Sequence, residues 1–538
     1  MGSVERRLLA REATLATVVA ASLAAILLWA APPGVDWAAH AYQRTFLIQH
    51  GFAIWNTYWY AGRSSFVTYS LLYYPLAALL GIRVLALVSI ATAALAFSMV
   101  VLRQWGPVSR ISSRSFAVLW AGLVFSAAFP FALAVSLALL AIWSLQEGRR
   151  GRFAVCALLT LAASPLGFAF LALVLGGLAL GRRSLRHSGV QLAVVLGGAA
   201  TELVIYRVFG GGGLFPFGLL ELIPALIFCG LGLIVTRGVP AAKPLHGLFW
   251  LYLAAVMTVY FVPSSVGSNI ERIRYAAVPI ALIAVALRRY RPLWLTVPAL
   301  VLAAIWNVTP IWSSFAQTSS DPEASIAYWQ PALTYLKAHT SPSYRVEVVD
   351  TAEHWQAAYL PDAGIPIVRG WYRQNDFPQN ELLYDKTLGA RAYDRWLRQM
   401  AVRYVVLTDA PVDYSSRLEA KLIRSGWSGL VLVRRLRHQS IYEVPDATPL
   451  ITGPAPASVL WLWPSRLVAE VGKPGSYLVR MRWSPYWRSP GACVSKTAGG
   501  LTRLQVRRAG LVELVFSLDV TRGLQTLAGA APTHVCSR

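Results

Sequence analysis

The feature that most constrains this chain is a series of long, uncharged, apolar runs. Residues 13–35 and 84–102 contain no charged side chain, and each reaches or exceeds the roughly 18 residues expected of a membrane-spanning helix. Of all 538 residues, 56% are hydrophobic and only 14% are charged, a composition that fits no set of soluble domains. The sequence therefore predicts a polytopic α-helical membrane protein, and it excludes a soluble enzyme and an intrinsically disordered chain.

The cations predict how these helices are oriented. Residues 1–312 hold 23 Arg and Lys but only seven acids, and 17 of the cations fall into clusters between apolar runs, as cytoplasmic loops do under the positive-inside rule. The clusters are Arg6/Arg7/Arg11, Arg103/Arg110/Arg114, Arg149/Arg150/Arg152, Arg182/Arg183/Arg186, Arg237/Lys243 and Arg288/Arg289/Arg291. We therefore expect a multi-pass protein of the cell inner (plasma) membrane with a cytoplasmic N-terminus. Because most cations of residues 1–312 lie in such loops, the net charge of +24 does not indicate nucleic-acid binding.

The first apolar run is expected to stay in the protein as a helix. Trp29, Pro32 and Pro33 stand where a signal peptide would need a small-residue cleavage site. Two later runs, 115–146 and 153–181, are interrupted by Phe129-Pro130 and Ser164-Pro165, so each is either a pair of short helices or one long tilted helix. The chain then has about eleven spans or nine. The remaining predicted helices are 13–31, 82–102, 189–206, 217–235, 245–262, 275–287 and 293–312.

An odd number of spans places everything after residue 312 outside the cytoplasm. Three domains are predicted: a transmembrane domain over 1–312, an extracytoplasmic α/β domain over 313–445, and a β-sandwich-like module over 446–538. Strands are expected at 345–349, 365–368, 403–407, 466–472, 476–483, 502–508 and 511–518, and helices at 389–400 and 415–425. Cys493 and Cys536 lie in the outer part, where they form either a disulfide or two free thiols.

Four acids in the membrane half are not explained by the cytoplasmic side: Asp36, Glu202, Glu221 and Glu271. Asp36 directly follows the first helix at the outer interface. If the next segment is helical, Asp36 and His40 share one face, so that Asp36 can accept the proton of an acceptor hydroxyl while His40 orients that acceptor or binds phosphate. The alternative is that Asp36 only caps a helix after Pro-Pro-Gly.

The loop that follows is rich in aromatic residues. Trp55, Trp59, Arg63 and Tyr69 are candidates for a platform that binds a sugar or a lipid head group. Aromatic residues at a membrane interface also serve as anchors, and the two roles are compatible.

A second outer loop, residues 263–275, carries Glu271, Arg272 and Arg274. Arginine binds phosphate through paired hydrogen bonds, so Arg272, Arg274 and, after helix 189–206, Arg207 are candidate phosphate ligands. The alternative for Glu271 is a structural ion pair with one of these arginines, and Glu221 is assigned a structural role. The sequence contains no recognised zinc, P-loop or dinucleotide motif, and dependence on a divalent metal is left open.

Together these residues resemble the GT-C superfamily of membrane glycosyltransferases. The similarity rests on an acid after helix 1 in a long outer loop, the Trp55–Gly62 and Tyr69–Pro75 stretches, an arginine-bearing outer loop and an extracytoplasmic C-terminal part. More narrowly, the chain resembles actinobacterial membrane proteins described as 6-pyruvoyl-tetrahydropterin-synthase-related. The GT-C resemblance implies Asp36 as the catalytic base and a polyprenyl-phosphate sugar as the donor substrate.

The resulting hypothesis is sugar transfer, inverting or retaining, from a polyprenyl-phosphate donor to a hydroxyl of a cell-envelope glycan or glycolipid. The alternatives are a lipid-linked sugar transporter or flippase and a non-catalytic glycan-binding scaffold. Two outer segments are open to interpretation. Residues 482–487 resemble part of a terminal β-module that holds glycan, and residues 369–376 lie over the membrane site or pack internally.

Overall fold

The structure is a computed structural model that describes residues 3–65, 69–182, 189–210, 213–319 and 321–536, without the side chains of residues 3–6 and 182. The side chains of Arg6, Arg182, Arg183 and Arg186, which belong to two of the predicted cytoplasmic clusters, are therefore outside what is described. The chain forms two compact units. The first contains Met1–Trp37, Tyr69–Leu203 and Leu214–Ser320, and the second contains Ala38–Thr68, Val204–Gly213 and Asp321–Arg538.

The first unit is built from apolar helices. With α2, which begins in this unit and continues into the second, the helices up to Ser319 are α1 Ser3–Ala30, α2 Trp37–His50, α3 Tyr73–Leu80, α4 Ile82–Trp105, α5 Arg110–Ala121, α6 Phe129–Gln146, α7 Arg150–Ala163, α8 Pro165–Arg182, α9 Gly189–Phe209, α10 Leu219–Thr236, α11 Lys243–Phe261, α12 Ala277–Leu287 and α13 Leu293–Ser319. A 3₁₀ segment, Gly267–Ala276, connects α11 to α12.

Seven helical stretches among the described residues are long and apolar enough to cross a membrane. This finding supports the predicted multi-pass membrane protein, whereas the count of eleven spans stays a prediction. The stretches are Arg7–Ala30, Ile82–Phe125, Phe129–Gln146, Gly189–Phe209, Leu219–Thr236, Pro240–Phe261 and Leu293–Ser319.

The apolar runs 115–146 and 153–181 are each divided into two helices at a proline. Pro130 lies in the first turn of α6, after a corner at which Ala127 has a positive φ of 52°. Pro165 is the first residue of α8, directly after the extended Ser164 that ends α7. Proline lacks an amide hydrogen, so it suits a first helical turn, and it disfavours helical geometry in the residue before it. The structure therefore contains the helix pairs, and the alternative of single long helices is wrong.

The second unit contains a four-stranded sheet with the strand order β3-β4-β6-β5. Strands β3 and β4 are parallel and the other pairs are antiparallel. Its strands and the helices around them are β3 Arg345–Val348, β4 Val402–Thr408, β5 Val431–Arg435, β6 Gln439–Glu443, α14 Ile326–His339, α15 Gln356–Asp362, α16 Arg373–Gln379, α17 Ala390–Gln399 and α18 Arg417–Arg424.

The predicted strand at 365–368 is wrong, because this segment makes only one isolated bridge, from Ile367 to Val346. The Ile367 amide instead donates to the Tyr58 carbonyl, 3.0 Å away. Residues 38–68 are part of the second compact unit. The short hairpin in this segment is β1 Trp55–Asn56 with β2 Arg63–Ser64.

Residues 451–536 form two antiparallel sheets, ordered β15-β12-β13-β10-β7 and β11-β14-β9-β8. Alternating side chains from the strands fill a shared core that includes Leu467, Tyr477, Trp487 and Leu514. The strands are β7 Ile451–Thr452, β8 Ala457–Trp463, β9 Arg466–Val471, β10 Gly475–Arg482, β11 Trp487–Arg488, β12 Ala492–Lys496, β13 Leu501–Val506, β14 Gly510–Phe516 and β15 His534–Cys536, and α19 Val520–Leu527 lies between the last two.

Cys493 and Cys536 face each other in the paired strands β12 and β15 and form a disulfide. We expect the Cys493→Ser/Cys536→Ser variant to lose about 2–4 kcal/mol of unfolding free energy, because the bond restricts the unfolded chain across 43 residues. The measurement is the urea midpoint for proteolysis of the second unit in detergent. Cys156→Ser, which changes a free cysteine, is the control. Equal midpoints for wild type and the double variant would contradict the prediction.

Candidate functional site

The position of Asp36 is fixed by its backbone. After α1, the Val35 amide donates to the Phe125 carbonyl and the Asp36 amide to the Ser126 carbonyl, with a nitrogen–oxygen distance of 3.0 Å in each bond. At Gly34 a Cβ atom would lie 2.3 Å from the Val124 carbonyl oxygen, so only glycine permits this approach. The carboxylate is thereby held beside the corner that precedes α6.

The Asp36 carboxylate forms an ion pair with Arg272. Its Oδ2 lies 3.7 Å from an Nη of Arg272, and the two side chains are only 13% and 20% exposed. The Arg272 guanidinium also lies 5.5 Å from the centre of the Phe131 ring, at the start of α6. Two residues that the sequence assigned separately, to proton transfer and to phosphate binding, therefore form one site.

Asp36 also directly precedes α2, the N-cap position that the sequence offered as its alternative role. On the other side of Asp36, the Trp37 ring packs edge-on against Phe129 with centroids 5.4 Å apart, and Arg83 lies over the Trp37 ring. The N-cap position and the ion pair are compatible, because a carboxylate has two oxygens, so that one can accept from an amide of the first turn while the other pairs with Arg272.

Glu271 and Arg274 form a second ion pair on the same 3₁₀ segment, with a distance of 3.3 Å. They line a cavity of about 330 Å³ between α10, α12 and α13, whose other lining is almost entirely apolar. Glu221 and Trp306 also line this cavity. The sequence assigned Glu221 a structural role and did not predict that it lines a cavity. The other residues that line this cavity come from helices distant in the chain.

Burial of the carboxyl group raises the pKa of Glu271 to about 7, although Arg274 opposes the shift. The folded protein therefore holds a proton that the unfolded chain releases near pH 4.5. We expect stability to fall as the pH rises from 4.5 to 7, by on the order of 3 kcal/mol at most. Thermal unfolding in detergent at a series of pH values should show the midpoint temperature falling with rising pH in wild type, and falling less steeply in Glu271→Gln. Identical slopes would show that Glu271 is not the titrating group.

The aromatic residues of the first outer loop pack inside the second unit. Trp55 joins the β-sandwich core, where its ring stacks on Phe516 at 5.1 Å. Trp59 is fully buried, and its Nε1 donates a hydrogen bond to the Ala357 carbonyl at a distance of 2.9 Å. Arg63 lies over the Tyr372 ring at 4.1 Å. The predicted sugar or lipid platform is therefore corrected for Trp55 and Trp59, whose side chains are enclosed by protein.

Three further candidates are His40, Arg207 and Tyr69. His40 is 1% exposed and Arg207 is exposed at the last turn of α9, and both belong to the second unit. Tyr69 lies in the first unit, with its ring 6.4 Å from that of Tyr74. Roles in binding acceptor or phosphate for these three residues stay predictions.

Two further segments are packed internally. Trp487, within the stretch compared with a glycan-binding module, is fully buried in the sandwich core. Arg369 is 2% exposed and binds Asp376, Asp350 and Ser415. The internal alternative therefore describes residues 369–376.

Among the residues that the structure describes, one group has metal-ligating atoms close together: Cys493, His534 and Cys536. The two cysteines are joined in the disulfide, which removes both thiolates as ligands. Metal dependence at Asp36 stays an open prediction.

Comparisons with known proteins add structural similarity at low sequence identity. No family model and no curated protein matches the chain. The arabinofuranosyltransferase AftD from Mycobacteria is 17% identical with a TM-score of 0.46, over 82% of this chain and 40% of that one. A mutant form of AftD is also 17% identical, with a TM-score of 0.48 over 82% of this chain and 42% of that one. The Archaeoglobus fulgidus oligosaccharyltransferase, in a complex with zinc and sulfate, is 13% identical with a TM-score of 0.39, over 73% of this chain and 68% of that one.

The chain therefore spans less than half the length of the AftD structures that it resembles. By their names, the similar proteins are an arabinofuranosyltransferase and an oligosaccharyltransferase.

Proposed function

We propose that the chain is a membrane glycosyltransferase that moves a sugar from a polyprenyl-phosphate donor to a hydroxyl of a cell-envelope glycan or glycolipid. The observation that carries the proposal is the Asp36–Arg272 pair, 3.7 Å apart and largely buried. A base and a phosphate ligand in one partly desolvated site are the two groups that such a transfer needs.

The proposed reaction uses the two side chains in complementary roles. Asp36 accepts the proton of the acceptor hydroxyl as its oxygen forms a bond to the anomeric carbon. The bond from that carbon to the donor phosphate breaks, and its electron pair leaves on the phosphate oxygen. Arg272 stabilises the resulting negative charge, and partial burial strengthens this interaction relative to water.

The neighbouring cavity supports an amphiphilic donor. Its walls on α10, α12 and α13 are apolar, whereas Arg274 and Glu271 line it as well. An isoprenoid chain fits apolar walls, and its phosphate would be attracted to Arg274. The proposal therefore assigns the lipid part of the donor to this cavity.

The direct test is transfer by the purified protein from radiolabelled polyprenyl-phosphate sugars of several types, with glycan and glycolipid acceptors. Wild type is expected to transfer at least one sugar. Arg272→Gln should lower kcat/KM for the donor by about 10–100-fold, the value of a hydrogen bond to a charged group. The control is Arg237→Gln, which changes an exposed arginine at the end of α10.

Failure of wild type to transfer from any donor would overturn the proposal. Movement of a lipid-linked sugar across vesicle membranes would then favour the transporter, and glycan binding alone would favour the scaffold. Equal kinetics for Arg272→Gln and wild type would remove Arg272 from the donor site.

A further inference from the structure

The outer surface of the sheet β11-β14-β9-β8 carries an unusual pair of tryptophans. Trp461 and Trp463 lie two residues apart on the edge strand β8, next to Val468 and Arg466 of β9. One strand further, Glu513 of β14 lies next to Val468. We call Trp461, Trp463, Arg466 and Glu513 the aromatic face.

The two indole rings are exposed and mutually aligned. Trp461 is 52% exposed and Trp463 is 39% exposed, whereas Trp487 of the same module is fully buried. The ring planes differ by 16° and their centroids are 6.4 Å apart, a spacing comparable with the size of one sugar ring. Leaving two large apolar rings in water forgoes the free energy of burying them, so an exposed aromatic pair is typical of a binding surface.

Polar groups beside the rings complete the surface. Arg466 lies 5.3 Å from the centre of the Trp463 ring and forms an ion pair with Glu513. These two side chains offer hydrogen-bond donors and acceptors on the same face as the indoles. Their charges cancel, and the exposed Glu470 on β9 adds a negative charge.

We propose that the aromatic face binds a neutral glycan by stacking sugar rings on Trp461 and Trp463. The C–H groups on one side of a sugar ring carry partial positive charge and meet the negative face of an indole. The sugar hydroxyls bond to Arg466 and Glu513. The face has no excess of positive charge, which suits an uncharged polyhydroxyl ligand, whereas an anionic lipid surface would require an excess of cations.

This proposal does not involve Asp36 and holds whether or not the chain transfers sugar. It also differs from the stretch 482–487, whose Trp487 is enclosed in the core. The test therefore measures binding alone, with no sugar donor present.

The experiment is calorimetric titration of the full-length protein in detergent with four soluble neutral polysaccharides: a galactan, an arabinan, a mannan and a glucan. Wild type is expected to bind at least one of them. Trp461→Ala/Trp463→Ala should weaken that binding at least tenfold, whereas Trp461→Phe/Trp463→Phe should retain most of it, because phenylalanine still offers a ring face. The matched control is Trp427→Ala, since Trp427 is 80% exposed but lies outside the sandwich.

Three results would overturn the proposal: no binding of any polysaccharide by wild type, equal binding by wild type and the alanine double variant, or equal losses in the double variant and Trp427→Ala. Light scattering of the same samples identifies a further contradictory outcome. If the alanine variant dissociates an oligomer and glycan binding is unchanged, the face joins two copies of the chain. Thermal unfolding of each variant establishes that it is folded.

Discussion

Asp36→Asn is expected to lower the rate of sugar transfer by about 10² to 10⁴, the usual contribution of a general base. The substitution keeps the size of the side chain and its place before α2, but the amide cannot take up the proton of the acceptor hydroxyl. It also removes the ion pair with Arg272, 3.7 Å away. The measurement is kcat with a saturating donor, because a lost base lowers the chemical step and need not change donor binding.

Glu147→Gln is the matched control for Asp36→Asn. Glu147 also pairs with an arginine, Arg103 at 3.2 Å, but it follows α6 at the end remote from the Phe129–Phe131 corner. We expect its activity to equal that of wild type. If Asp36→Asn is folded and retains full kcat, Asp36 is not the base, whereas the phosphate role of Arg272 would still be tested by its own variant.

Arg369→Met is expected to destabilise the second unit by about 3–5 kcal/mol. Arg369 is 2% exposed and forms ion pairs with the buried carboxylates of Asp350 and Asp376. Burial by itself raises the pKa of Asp376, and Arg369 holds that pKa below its ordinary value. Without the guanidinium, Asp350 and Asp376 would stay buried without the arginine that pairs with both, which is more costly than losing the contact itself.

The matched control is Arg403→Met, on strand β4 of the same unit. Arg403 pairs with Glu443 at 3.3 Å, but its side chain is 35% exposed and that of Glu443 is 37% exposed, so water replaces the lost interaction. Its loss should cost at most about 1 kcal/mol. Proteolysis of the second unit at increasing urea concentrations measures both variants. A similar shift of the urea midpoint in the Arg369→Met and Arg403→Met variants would contradict the conclusion that burial makes the effect of Arg369 large.

The sequence by itself predicted most of the local structure. Long uncharged runs predicted the apolar helices, and prolines 130 and 165 predicted where two of the runs divide. Alternating residues predicted the strands β9, β10, β13 and β14 to within a few residues. These properties depend on neighbours in the chain. The length of an apolar helix depends on how far the uncharged run extends, and the start of a helix depends on proline, which lacks an amide hydrogen.

The sequence also identified Asp36 and Arg272 as separate candidates, because charged groups near an apolar span are rare. Their distance of 3.7 Å was decided by the tertiary structure, through the Gly34 approach to Val124 and the corner before α6. The tertiary structure also decided that Trp55 and Trp487 are buried and that Trp461 is exposed. Residue type alone does not distinguish a buried indole from an exposed one, since burial is set by which strands and loops pack on each ring.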